Sequence, residues 1–155
     1  MTPFERARGG FSVSTDPARL DVGVIHGFLV DSYWARGIPR EVVERSIRGS
    51  LCFGLFDGDR QVGFARVVSD RATFAYIADV FVLESHRGKG LAKWLMECVL
   101  AHPELQGLRV WRLTTRDAHG LYRQVGFGPP RRPQNHMEIL DVDIYARGRH
   151  EEAHG

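Results

Sequence analysis

Between Val82 and Ala92 the chain reads Val-Leu-Glu-Ser-His-Arg-Gly-Lys-Gly-Leu-Ala. An apolar strand pattern runs into two glycines, and an amphipathic helix pattern follows. The first N–H groups of a helix have no internal acceptor, and its dipole puts partial positive charge at that end. Gly88 and Gly90 admit close approach and positive φ. Arg87 and Lys89 add positive charge. This combination suits a phosphate or pyrophosphate, although a tight strand-to-helix turn without a ligand has the same composition. Two nucleotide motifs are excluded by spacing. No Ser or Thr follows a Gly-Lys pair, and Lys93 stands where a dinucleotide fingerprint needs its last glycine.

A second stretch, Thr114-Thr115-Arg116-Asp117-Ala118-His119-Gly120-Leu121-Tyr122-Arg123-Gln124-Val125-Gly126-Phe127, follows another strand pattern. Arg87-x-x-Gly90-x-Ala92 resembles the acyl-CoA-binding motif of the GNAT superfamily of N-acyltransferases. Ala118, Leu121, Tyr122, Gly126 and Phe127 resemble that family's segment after the fifth strand, with Thr115 where the family usually has Asn. The resemblance spans roughly residues 12–144 and is strongest over 77–127.

It implies an acetyl-CoA donor and the following roles. The N–H groups of Gly88, Lys89, Gly90, Leu91 and Ala92 grip the pyrophosphate, and Arg87 at the head of the motif belongs to the same cofactor site. Val80-Phe81-Val82 part from the next parallel strand, and the pantetheine amides pair with the exposed edge. Thr115 and Ala118 border the same arm, and Tyr122 protonates the departing sulfur. The junction carrying Tyr33, Trp34 and Arg36 borders the acceptor.

Other candidates come from residue type. Asp79 is an acid in an apolar strand and needs a partner. It takes the amine proton, holds an ammonium group, or pairs with an arginine. His119 lies three residues before Tyr122, hence near it on one helix face. His136 opens the last strand pattern, and either histidine is a candidate base.

These residues need elements to position them. Phe11–Ser14 alternates as a first strand. Asp16-Pro17 reads as a cap and helix start, with Leu20, Val24 and Phe28 carrying the helix to about Trp34. A second helix spans about Arg40 to Arg48. Leu51–Phe56, a turn at Asp57-Gly58-Asp59, Gln61–Val68 and Thr73–Val82 form an antiparallel meander. A helix runs from Gly88 to His102-Pro103. Leu108–Thr114 is a strand parallel to the preceding one, because a helix separates them. Asp117–Val125 is a short helix, and His136–Ile144 a last strand. The expected fold is α+β, an αβα-type sandwich. Its central sheet is mixed but mostly antiparallel and flanked by helices, with strands 4 and 5 parallel and, on the resemblance, splayed.

The chain has 155 residues, 43% hydrophobic and 26% charged, with a net charge of +2. These values fit one domain over 1–155, with a core at about 11–145 and a flexible tail at 146–155. The charge is too small to indicate nucleic acid, and Pro129-Pro130-Arg131-Arg132-Pro133 reads as a rigid solvated loop. No apolar run is long enough for a membrane span. The N-terminus lacks a signal-peptide core, and Cys52 and Cys98 read as buried thiols, so the expected location is cytoplasmic. His150-Glu151-Glu152-Ala153-His154 fits a zinc-protease pattern, but no downstream ligand follows it, and no metal is expected.

The reading is an N-acetyltransferase acting on a primary amine of a small molecule or peptide by direct attack in a ternary complex. Its rival is a catalytically idle acyl-CoA-binding or sensor module. No nucleic-acid or membrane partner is expected, and a homodimer is compatible with the resemblance.

Overall fold

The structure is a computed structural model that describes residues 2–146. Six strands form one sheet in the order β1-β2-β3-β4-β5-β6. They are β1 Glu5–Arg8, β2 Phe11–Ser14, β3 Leu51–Asp57, β4 Arg60–Ser69, β5 Phe74–Val82 and β6 Val110–Leu113. Every neighbouring pair is antiparallel except β5 and β6. The helices are α1 Val22–Leu29, α2 Arg40–Arg48, α3 Leu91–Leu100 and α4 His119–Gln124. The expected mixed sheet between helical layers is therefore present. The expected fourth and fifth strands are β5 and β6, because β1 precedes them.

Each face of the sheet carries its own core. Ile25, Leu29, Ile38 and Val43 pack with Phe64 and Phe81 on one side. Leu91, Leu95, Met96 and Val99 pack with Phe53, Leu55, Val62 and Tyr122 on the other. The apolar positions of α3 recur at helical spacing, so burial of one stripe seats the helix. Cys52 and Cys98 belong to opposite cores. Burial pushes their thiols up to about 12 and about 11, so both are neutral near physiological pH.

Three expectations are corrected. The helix expected over 16–34 is divided. Asp16 caps only a 3₁₀ turn at Pro17–Arg19, where it accepts from the Ala18 N–H. Leu20 is extended, and Asp21 caps α1 by accepting from the Val24 N–H at 3.1 Å. Two caps five residues apart compete, and the tertiary partner decides between them. Buried Gln61 accepts from the Asp21 N–H at 2.7 Å, tying the start of α1 to the sheet.

β1 was not anticipated. Glu5-Arg6-Ala7-Arg8 is exposed at every position and has no apolar alternation. It exists because β2 offers an edge, and charged side chains suit an edge strand.

The last expected strand, His136–Ile144, is not formed. Residues 136–141 have no regular structure and a turn follows at 142–143. An alternating pattern supplies a face, but a strand also needs a neighbour. The region after the Pro129-Pro130-Arg131-Arg132-Pro133 stretch and the 3₁₀ turn Pro133–Asn135 does not reach the sheet. The tail over 147–155, with its His150–His154 pattern, lies outside the described residues.

Candidate active site

The parallel pair β5–β6 opens partway along its length. Partners run from Phe74↔Val110 to Ile77↔Leu113 and then stop, whereas β5 continues to Val82. The β6-facing edge of Ala78 to Val82 is left without a strand. A bulge lies at the same place. Phe64 pairs with Phe81 and Arg66 with Ala78, so Asp79 and Val80 face Ala65 alone. Asp79 absorbs the distortion at φ +57°, a conformation that Asp tolerates better than most residues.

Asp79 has two firm partners. Arg66 Nε–H donates to Oδ2 at 2.8 Å, and Trp34 Nε1–H donates to Oδ1 at 2.8 Å. Arg66 also donates to the Ser50 hydroxyl at 3.1 Å. Of the alternatives open for this acid, the arginine pair is the one the side chains make, with an indole added.

Beyond Val82 a 3₁₀ turn at Glu84–His86 leads to the glycine loop. Gly88 and Gly90 have φ of +80° and +73°, and Gly90 is the N-cap of α3 without a side-chain cap bond. The main-chain N–H groups of residues 88–93 find no acceptor among the described residues. A Cβ placed on either glycine would meet nothing within 4 Å, so the space in front is open. A hollow of about 250 Å³ lies here, walled by the loop, Val82 and His86, with Leu121 and Gln124 of α4 opposite. Arg87 Nε–H donates to the Val82 carbonyl at 3.0 Å, bracing the turn against the strand end.

Two lining groups escaped the sequence reading. His86 is buried, 3.0 Å from Asp57 through Nε2 and 2.7 Å from the Ser85 hydroxyl through Nδ1. It pins the turn to the β3–β4 hairpin, a contact across 29 positions that spacing does not reveal. Gln124 lies six residues after Ala118 on α4, and helical spacing from Leu121 could have found it.

Tyr122 is 9% exposed and contacts Phe127 edge-on at 6.0 Å. Burial pushes its hydroxyl up to about 12, with Tyr33 and Asp117 adding to the shift. The phenol therefore keeps its proton at all ordinary pH values. That hydroxyl has no hydrogen-bond partner among the described residues. Among the described residues no fully buried side-chain oxygen or nitrogen lacks one, so the hydroxyl is not sealed from solvent. Thr115 Oγ1 accepts from the Ala118 N–H at 3.0 Å and so caps the start of α4.

The acceptor-side candidates divide. Tyr33 and Trp34 remain 46% and 42% exposed and meet edge-on at 5.0 Å. The Arg116 N–H donates to the Tyr33 hydroxyl at 3.1 Å, and its guanidinium lies 3.8 Å over the Tyr33 ring. The α1–α2 connection thereby meets the β6–α4 loop. Tyr76, also unnoticed in the sequence, bonds the Thr114 hydroxyl at 3.2 Å across the β5–β6 pair. Arg36, His119 and His136 are exposed, and none has a side-chain partner among the described residues. Among those residues no group of three or more His, Cys, Asp or Glu side chains is placed to hold a metal ion. No described helix is long and apolar enough to cross a membrane.

Known proteins share both this fold and this sequence pattern. Residues 48–129 match the family described as acetyltransferase (GNAT) domain. A candidate acetyltransferase of Gibberella zeae is 32% identical over 148 residues, covering 80% of this chain and 82% of that protein. A crystal structure of a candidate GNAT acetyltransferase from Xanthomonas campestris pv. campestris is 55% identical. It superposes with a TM-score of 0.85, covering 88% of this chain and 96% of that one. A candidate acetyltransferase of Deinococcus radiodurans, 22% identical over 91% of this chain and 95% of its own, shares the fold with a TM-score of 0.71. The chain belongs to the GNAT superfamily of N-acetyltransferases.

Proposed function

We propose that this chain, acting as one unit, transfers the acetyl group of acetyl-CoA to a primary amine of a small molecule or peptide. One observation carries the reading. Residues 88 and 90–93, whose N–H groups are unpaired among the described residues, line a hollow whose opposite wall is α4, the helix that bears Tyr122. Main-chain donors at a helix start suit a diphosphate. The bare edge of Val80, Phe81 and Val82 suits the amides of an extended pantetheine arm, as an added strand would. Thr115 and Ala118 flank that arm.

Attack by the amine nitrogen on the thioester carbonyl forms the C–N bond. Collapse breaks the C–S bond, and Tyr122 gives its proton to the leaving sulfur. Burial keeps the phenol protonated in the free protein, so it enters the reaction with a proton to give. The amine proton passes to water. Asp79, with both oxygens already accepting, positions Trp34 and an incoming ammonium group and does not abstract the proton directly. Tyr33, Trp34, Arg36 and His119 surround the acceptor. Both cysteines are buried and neutral, which favours direct attack over an acyl-cysteine.

A specific observation also favours a second reading, an idle acyl-CoA-binding module: the strand acid is occupied by Arg66 and Trp34. Thiol release from acetyl-CoA against a panel of amines separates the two. Amine-dependent release supports the enzyme. Tight CoA binding with no release for any amine supports the module, and absence of CoA binding removes both.

A further inference from the structure

Tyr33 and Trp34 leave their rings open to solvent although the polar end of each is fixed. The Trp34 indole N–H is spent on Asp79, and the Tyr33 hydroxyl accepts from the Arg116 main chain. The two rings meet edge-on, and Trp34 leans on Phe28 at 6.2 Å. Phe28 in turn stacks on Phe81 of β5 at 4.1 Å. Aromatic side chains pinned at their tips and bare on their faces form a rigid shelf. The shelf adjoins the proposed reacting centre. Trp34 reaches Asp79, inside the stretch of β5 that β6 leaves bare. Tyr33 lies near enough to the Tyr122 phenol to help raise it.

The groups around this shelf that attract cations are already in use. The Asp79 carboxylate holds Arg66 as well as the indole, and the Arg116 guanidinium lies over the Tyr33 ring. An acceptor with a second positive charge would find these partners taken by the protein's own cations. Arg116 is in the opposite position. Its main chain and its guanidinium are both held by Tyr33, yet none of its side-chain N–H groups donates to a described residue. No carboxylate is in salt-bridge reach of it among those residues. The acids on the same two connections, Asp31 and Asp117, are exposed, and neither pairs with it. An ordered guanidinium with free donors presents a planar fork that matches a carboxylate or a phosphate.

We propose that the acceptor is an amine that also carries an anionic group, a carboxylate or a phosphate, and that Arg116 is the residue that selects it. This rests on the acetyl-transfer reading above and names the substrate class of that site. The amine end lies toward Asp79 and the bare edge of β5. The anion lies at Arg116, and the carbon body between them rests on the Tyr33–Trp34 shelf. Arg116 touches the anion and no reacting atom, so it acts on KM more than on kcat. Its side chain is ordered before the acceptor arrives, so little freedom is lost on binding.

Matched acceptors test this on the full chain with acetyl-CoA. The pairs are L-phenylalanine with its amide and 2-aminoethyl phosphate with ethanolamine, and spermidine serves as a polycation. In at least one pair the anionic member should have a kcat/KM higher by about tenfold or more, carried mainly by KM. The pair with the larger ratio tells carboxylate from phosphate. Arg116→Gln keeps the main-chain bond to Tyr33 and should bring the ratio to about one. Arg116→Lys should retain part of it, because the charge stays and the fork is lost. A change that merely loosens the fold lowers both members alike and leaves the ratio in place. Equal use of both members in each pair, spermidine as the best acceptor, or a ratio that survives Arg116→Gln overturns the proposal. If neither pair is turned over, calorimetry on the CoA-loaded protein with the same four ligands decides. Tighter binding of an anionic member, lost in Arg116→Gln, upholds the site, and the absence of any preference overturns it. The wider amine panel then shows separately whether acetyl transfer itself has failed.

Discussion

The glycine loop and the aromatic junction are built differently. At residues 88–93 the groups proposed to bind are main-chain N–H groups, left without acceptors among the described residues because two glycines at positive φ stop one element and start another. At the junction the groups are side chains drawn from distant positions. Trp34 reaches Asp79, Arg66 reaches both Asp79 and Ser50, and Tyr33 receives the Arg116 N–H across 83 positions. A site made of backbone is local and is written in consecutive residues. A site made of side chains exists only after the sheet has folded. The first suits a cosubstrate shared by a family, and the second suits an acceptor that differs between members.

Breaking the local half should have the largest effect. Gly90→Glu forces a side chain into a φ of +73° and sets a carboxylate before the open N–H groups. CoA binding measured by calorimetry should weaken by at least about a hundredfold, roughly 2.7 kcal/mol, with the far-UV spectrum retained. Unchanged affinity would remove the grip from this loop.

Next in size is Tyr122→Phe. It should lower kcat by about a hundredfold or more and leave CoA affinity within about twofold. Because burial holds this phenol near 12, the wild-type rate should show no alkaline loss from Tyr122 below about pH 11. A limb that begins near pH 9 and vanishes in the Phe variant would contradict the assignment.

The non-local half should respond more mildly. Asp79→Asn keeps a residue tolerant of positive φ but leaves the Arg66 guanidinium, which is 19% exposed, without its carboxylate. Thermal unfolding should show a loss of about 2 kcal/mol. The KM for the amine should rise more than kcat falls. A fall in kcat alone, with KM unchanged, would return Asp79 to the role of base.

The smallest effect is a pH dependence of stability. Cys52, Cys98 and Tyr122 all have folded values raised above their ordinary ones, to about 12, 11 and 12. The unfolded chain therefore releases these protons first. Their contribution is intact below about pH 9 and is lost progressively as pH climbs toward 12. Denaturation midpoints should be flat in this respect from neutral to mildly alkaline pH and then decline. Cys98→Ala should flatten part of that decline.

Much of the architecture was legible in advance. The meander, the amphipathic α3 and the helical crossover that makes β5 and β6 parallel all follow from periodicity and turn residues. The failures share a cause. β1 has no apolar pattern and forms because β2 is there to pair with it. The expected helix over 16–34 breaks at Leu20 because Gln61 holds the second cap in place. His136–Ile144 has the pattern of a strand and no neighbour to make it one. In each case the deciding contact comes from another part of the chain. The candidate site divides in the same way. Gly88, Gly90 and Tyr122 could be named from their motifs, whereas His86 enters through Asp57, and Asp79 takes its character from Arg66 and Trp34.

The amino-acid order by itself determined the family, the glycine loop and the sequence of most elements, because these depend on φ preferences and on apolar spacing within a few residues. Only the tertiary structure decided which partners Asp79 keeps, how far β5 outruns β6 and that residues 137–144 stand uncovered. Those outcomes turn on desolvation and hydrogen bonding between segments that meet in space, and no local preference encodes them.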